Sequence, residues 1–243
     1  MTPSLAALYR HPIKGIGRER LDAVDLVAGV PMPGDRAWAL LHDAAPQIDG
    51  WQPRRNFLVV ASGPDLTRVE AEGTDPITLR HPTRPDLTFD PATEGARLAD
   101  WVRPIWPADR PTPTRLVAAP PEGMADNGAA QVSILNLASL RALSQKLGRP
   151  LEIERFRGNL IVDGLPPWGE FDWIGRDIRI GAVTLSVADR IERCRATEAS
   201  PATGTRDANT LRALEDGWGH RDFGVYATVK TSGHLAVGDE VVE

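Results

Sequence analysis

Proline and glycine punctuate the chain from end to end: 21 prolines and 22 glycines are spread through 243 residues. Proline removes an amide that helix interiors and central strands need, and glycine supplies turn conformations. Such punctuation favours many short strands joined by tight turns over a few long helices. The apolar pattern between the turns agrees. "LDAVDLVAGV" sets Leu21, Val24 and Leu26 among acids, "NFLVVAS" (56–62) reads as a short buried strand, and "PITLR" and "DLTFD" read as two sides of a hairpin. In the last third, "NLIVDG", "DIRIGAVTLSV" and "FGVYATV" alternate, which puts Val183, Leu185 and Val187 on one face.

Two helices stand out. Glu94 to Val102 would turn Leu98, Trp101 and Val102 inward and stop at Pro104. "NLASLRALSQKLGRP" carries Leu137, Leu140, Leu143 and Leu147 at helical spacing, with Asn136 as N-cap, Gly148 at its end and Pro150 beyond. Short strands without regularly alternating helices favour a closed or highly curved sheet, so the expected fold is mostly β, barrel-like, with a few α-helices. Residues 103–130, rich in proline, alanine and glycine, are the expected internal boundary.

A hydrophobic content of 42% and a charged content of 25% suit a globular chain with a sizeable core. The net charge of −5, with no basic stripe, argues against nucleic acid as a partner. No apolar run approaches the length of a membrane span, and a single cysteine excludes an internal disulfide framework, so a cytoplasmic protein is the default expectation.

That cysteine, Cys194, could be a small buried hydrophobe, a nucleophile or a metal ligand. Its setting, "RIERCRATEAS", is polar. In an extended strand Arg193 and Arg195 would face away from the thiol and Glu192 would share its side. A stabilised thiolate would therefore draw its positive charge from another segment or from a metal. In "ERFRGNLIVDG", Arg155, Arg157 and Asn159 alternate and should project together; arginine offers a planar fork of donors and asparagine both donates and accepts. "HPIKGIG" presents Lys14, and "PGDRAW" presents Arg36 on a tight bend. The five histidines form no close pair at ligand spacing, and neither a phosphate-binding glycine loop nor a nucleophile-elbow serine is present.

These segments and their order resemble the MOSC-domain proteins with their N-terminal β-barrel domain. That group includes the C-terminal domain of molybdenum-cofactor sulfurases and the mitochondrial amidoxime-reducing component with its bacterial relatives. "LYRHPIKGIG", "GVPMPGDRAWALLHD", "ADNGAAQVSILNLASLRAL", "RFRGNLIVDGLPPWGEFDWIG", "RIERCRATEASPATGTRD" and "FGVYATVKTSGHLAVGDEV" carry the likeness. It is strongest over 126–243, recognisable over 5–45 and weak over 46–125.

The resemblance implies an N-terminal β-barrel-like domain over 1–115 and a MOSC domain over 116–243. It also implies a pyranopterin molybdenum cofactor, with the cysteine of the "ERC" motif, Cys194, as molybdenum ligand and catalytic residue. Lys14, Arg36, Arg157 and Asn159, with Ser133, would hold the cofactor and its phosphate. The implied activity is reduction of N-hydroxylated or related N-oxygenated small molecules. The alternative is a carrier of cofactor or persulfide sulfur without turnover of its own. Because the chain ends at "GDEVVE" with no ferredoxin-like domain, a separate electron-donor protein is expected. Gly15 stands where many relatives have a small polar residue, Gly158 where proline is usual, and Ile191 precedes the "ERC" motif.

Overall fold

The structure, a computed structural model, describes residues 2–46, 48–126 and 128–243. Turns break the described chain into sixteen short strands and three α-helices. The first part holds β1 (Ser4–Arg10), β2 (Ile13–Lys14), β3 (Glu19–Leu21), β4 (Ala23–Leu26), β5 (Trp38–His42), β6 (Glu70–Glu72), β7 (Ile77–His81), β8 (Arg84–Phe89), α1 (Gly95–Val102) and β9 (Pro113–Ala118). Then come β10 (Val132–Asn136), α2 (Leu137–Leu147), β11 (Leu160–Asp163), β12 (Asp177–Ile180), β13 (Val183–Glu192), α3 (Thr210–Trp218), β14 (Asp222–Val229), β15 (Gly233–Ala236) and β16 (Val241–Val242).

Eight strands form one sheet in the order β16-β12-β13-β14-β10-β11-β1-β3. The sheet curls until its ends meet. Ser4 bridges Glu240, Leu5 N donates to Asp239 O at 2.8 Å, and Val241 N donates to Pro3 O at 2.8 Å. Closure of this kind removes the open edges that would otherwise leave amides unpaired. Alternation then sorts the side chains. Leu8, Ile134, Leu160 and Val162 fill the barrel with Val183, Leu185 and Val187, while Tyr9, Leu135 and Ile161 point outward under α2 and α3. Each fully buried aliphatic side chain contributes roughly 1.5–3 kcal/mol. The two-stranded pair β4–β15 adds Leu26 and Leu235 to the same interior.

α2 follows its sequence pattern. The Asn136 side chain accepts from Ala138 N, Gly148 closes the helix at φ 66°, and Leu140 and Leu143 are buried against the barrel.

A second unit, built around β2-β5-β9 and the meander β6-β7-β8, has its own core, in which Ile13, Leu40, Leu79 and Phe89 pack with Leu98, Trp101 and Val102 of α1. The expected hairpin is present, with Ile77 opposite Phe89 and Leu79 opposite Leu87. The expected strand over 56–62 is not. That stretch is largely buried but begins in a 3-10 turn (Arg54–Asn56), makes one isolated bridge between Leu41 and Phe57, and then turns. The amides of Ser62 and Gly63 both bond back to Val59 O, which ends the extended run. The stretch 103–130 holds β9, which pairs with β5. The chain passes from barrel to second unit at His11–Pro12, directly after β1.

Candidate functional site

A cleft enclosing about 940 Å³, open to solvent, lies between the barrel rim and the second unit. Lys14, Arg36, Ser133, Arg157, Asn159 and Cys194 all line it. Six positions spread from residue 14 to residue 194 thus meet in one place, because β2 leads straight out of β1 and the barrel rim carries the rest.

Each cation is held by an unusual bend. Lys14 is followed by Gly15 at φ 75°, where a Cβ would stand 2.4 Å from Leu58 O, so glycine alone permits the turn. Arg36 and Arg157 adopt φ of 50° and 48°, left-handed values that a non-glycine residue takes at a cost of about 1–3 kcal/mol. The bends are locked together: Arg36 Nη2 donates to Arg157 O at 3.0 Å, Arg36 Nη1 pairs with Asp35, and Asp35 Oδ1 accepts from His11 N at 2.7 Å. His11 completes the seam, with ring nitrogens 3.4 Å from Gly17 O and 3.2 Å from Gly158 O. Burial, then the charges of Arg157 and Arg36, hold its pKa well below the usual histidine value. The seam histidine is therefore neutral at pH 7.

Arg157 is the least compensated of these groups. Its Nη2 is buried with no hydrogen-bond partner. Burial first, and then the neighbouring Arg36, pull its pKa from the ordinary arginine value down to about 9. Lys14, 4% exposed, is lowered chiefly by burial, against the opposing pull of Asp126. Its Nζ donates to Asp126 Oδ1 at 2.5 Å and to Met124 O at 2.6 Å. Arg54, on the same wall, reaches the other oxygen of Asp126 at 3.9 Å.

Ser133 and Asn159 differ from the cations because their polar atoms are engaged with each other. Asn159 Oδ1 accepts from Ser133 N at 3.1 Å and Ser133 Oγ at 2.8 Å, and its Nδ2 donates to Tyr9 O at 3.2 Å. They tie three barrel strands together where the cleft begins.

Cys194 is a free, half-buried thiol. It sits just past β13, where it caps the 3-10 turn Arg195–Glu198, and Glu192 shares the cleft wall with it. Neither flanking arginine serves the sulfur by hydrogen bonding. Arg193 donates through Nε to Phe223 O at 2.8 Å and through Nη1 to Phe156 O at 2.9 Å, and Arg195 is exposed with Glu198 3.7 Å away. The expected one-sided row of Arg155, Arg157 and Asn159 is corrected. Residues 153–156 form a 3-10 turn, and Arg155 is spent on Glu152 and Asp207. Gly158 packs so tightly that a Cβ would meet Leu135 Cδ1 at 2.4 Å.

Sequence reasoning missed Arg54, Asp126 and Tyr226. Tyr226 was within reach, since alternation in "FGVYATV" sets it opposite Val225 and Ala227, which fill the barrel. It pairs with Ser133 in the ladder and lines the same cleft as Arg36 and Arg193. Among the described residues no group of three or more His, Cys, Asp and Glu could hold a metal ion, and no helix is long and apolar enough to cross a membrane.

A closed barrel beside a cleft that gathers one thiol with Lys14, Arg36 and Arg157 defines a β-barrel protein with a thiol set among cations. The MOSC domain family model matches residues 116–242, more than half of the chain, and the chain belongs to that family. It is 35% identical over 115 residues to the molybdenum cofactor sulfurase of Anopheles gambiae, covering 42% of this chain and 15% of that protein. It is 29% identical over 125 residues to mitochondrial amidoxime-reducing component 1 of Xenopus laevis, covering 46% of this chain and 36% of that one. The chain thus spans well under half of either relative. Among solved structures, the YUAD protein from Bacillus subtilis aligns over 99% of this chain and 94% of its own, with a TM-score of 0.47 and 16% identity.

Proposed function

We propose that the cleft holds a molybdenum–pyranopterin cofactor and that the protein uses it to reduce N-oxygenated small molecules. One observation carries the reading: the buried Arg157 guanidinium, unpartnered at Nη2, faces the same cleft as a free soft thiol. A dense anionic group would satisfy that guanidinium, and a thiolate suits a metal already bound to sulfur. The donor set therefore fits the group. The family relationship supports the same reading, since relatives named as molybdenum cofactor sulfurases and as an amidoxime-reducing component match this chain.

In this reading Cys194 is the protein's metal ligand and, through the metal, its catalytic residue; metal binding itself favours the thiolate. Arg36 and Arg157 bind the phosphate of the cofactor, and Lys14 joins them when that anion displaces Asp126. Ser133 and Asn159, expected as cofactor-binding residues, act by keeping the strands beneath the ligand in register. When bound, the cofactor supplies the two electrons of each turnover. The reaction R–NHOH + 2H⁺ + 2e⁻ → R–NH2 + H2O also needs two protons. Glu192 and Tyr226 are side chains on the lining able to exchange protons with it. Val59, Val60 and Phe156 provide an apolar wall that limits water. Electrons come from a separate donor protein.

The rival is a carrier of cofactor or persulfide sulfur, which the same accessible thiol and the likeness to sulfurases favour. Protein made in a cofactor-competent host separates the two. Near-stoichiometric molybdenum, Mo(V) paramagnetic signals and amidoxime reduction, all lost in Cys194→Ser, are expected. Cyanide-releasable sulfur with no redox turnover would favour the carrier, and full reductase activity in Cys194→Ser would sink the assigned role of the thiol.

A further inference from the structure

A second groove, enclosing about 1150 Å³ of open space, adjoins the cleft and shares Arg54, Val59 and Ala61 with it. Its other walls set charge around an apolar floor. Arg55 and Arg110 are exposed, and neither guanidinium has a partner among the described residues. His42 lies 2.8 Å from Arg55 O through Nε2, which fixes that nitrogen as the donor and leaves Nδ1 buried without a partner. Pro53, Val59, Ala61 and Pro111 supply its accessible apolar surface, while Phe57 and Trp106 are almost wholly buried and the Trp106 ring is fixed by a 2.9 Å bond from Nε1 to Pro111 O. Among the described residues no acidic side chain lines the groove, although the chain as a whole carries a net charge of −5. A concave surface with an apolar strip and unpaired arginines suits a planar molecule that ends in an anion, because guanidinium binds carboxylate or phosphate in a fork and also stacks on flat rings.

We propose that this groove is the substrate subsite of the cleft. It selects N-oxygenated substrates whose reactive head sits on a flat apolar body ending in an anionic group. The body would lie on Pro53, Val59 and Pro111, the anion on Arg55 and Arg110, and the head would pass the shared Val59–Ala61 wall towards Cys194. The inference rests on the reductase reading for the word substrate. The anionic subsite rests on the groove alone.

The test compares an aryl amidoxime bearing a para-carboxylate with its neutral carboxamide analogue, using the cofactor-loaded protein and its Arg55→Ala/Arg110→Ala variant. Both arginines are exposed and unpaired, so the variant is expected to melt with the parent. The parent should prefer the carboxylate at least tenfold, expressed in KM, and the variant should lose most of that preference. In parallel, titration calorimetry follows the unreactive carboxylate-bearing arylamidine. Arginine-dependent binding without turnover of either amidoxime would overturn the reductase reading and leave the subsite standing. Turnover with equal KM for both compounds, or a preference that survives in the variant, would overturn the subsite alone.

Discussion

Replacing Arg157 by methionine is expected to stabilise the ligand-free protein while removing its grip on anions. The side chain is mostly buried, its Nη2 lacks a partner, and the nearby Arg36 repels it. A guanidinium drawn down from the ordinary arginine value to about 9 carries, at about 1.4 kcal/mol per pH unit, an upper bound near 5 kcal/mol of penalty on its charged form. The cleft is open to water, so screening reduces the recoverable part to about 1–3 kcal/mol. Methionine keeps most of the aliphatic stem and bears no charge. For a chain of this size each kcal/mol moves the melting temperature by roughly 2–4 °C, so a rise of about 2–10 °C is expected at pH 7. The sign with pH follows from the same numbers. The unfolded arginine stays charged throughout the accessible pH range, whereas the folded one begins to lose its proton near 9. The penalty is therefore complete at neutral pH and relieved above about 9, and the advantage of the variant should shrink between pH 8 and 10. Inorganic phosphate should raise the melting temperature of the parent and of Arg157→Lys more than that of Arg157→Met. Scanning calorimetry with and without phosphate reads all of this. A variant that melts below the parent at pH 7, or that keeps the full phosphate response, would refute the reasoning.

Two further substitutions probe the same wall. Asp126→Asn removes the carboxylate that occupies Lys14, so phosphate affinity by titration calorimetry should rise about tenfold, equivalent to about 1.4 kcal/mol; weaker binding would mean that Asp126 is no competitor. The same change should push the Lys14 pKa further down, since Asp126 is the charge that opposes its burial. Asn159→Ala strands Ser133 N and Tyr9 O inside the barrel, and urea unfolding should register a loss of about 2–4 kcal/mol; a loss below 1 kcal/mol would show that Ser133 and water replace the amide.

What could be read from the sequence was local. The β7–β8 hairpin, both caps of α2 and the inward face of β13 follow from period and turn chemistry within a few residues. Barrel closure could not be read this way, because it joins Pro3–Leu5 to 239–241 across almost the whole chain. The reading of Arg155, Arg157 and Asn159 as one row failed for a definite reason. Alternation holds only in extended backbone, and Arg157 leaves it at φ 48°. Residue types nominated Lys14, Arg36 and Cys194, but only the resemblance assembled them, since nothing in their spacing states that β2 and the barrel rim meet.

That meeting explains why the cations collect there. Asp35 bonds the His11 amide and pairs with Arg36, so the one carboxylate set deep in the seam is already committed to joining its two sides. Arg36 spends Nη2 on Arg157 O, which fixes the bend from which Arg157 reaches into the cleft. Each contact that makes the seam rigid thus consumes an acceptor that could have neutralised Arg157. The guanidinium is left with Nη2 unpaired, while Asp126, the remaining nearby carboxylate, engages Lys14 and stays half-exposed at the rim. An anion entering the cleft meets one strained and uncompensated charge and one replaceable carboxylate. The first favours its binding, and the second must release Lys14 before that cation can join.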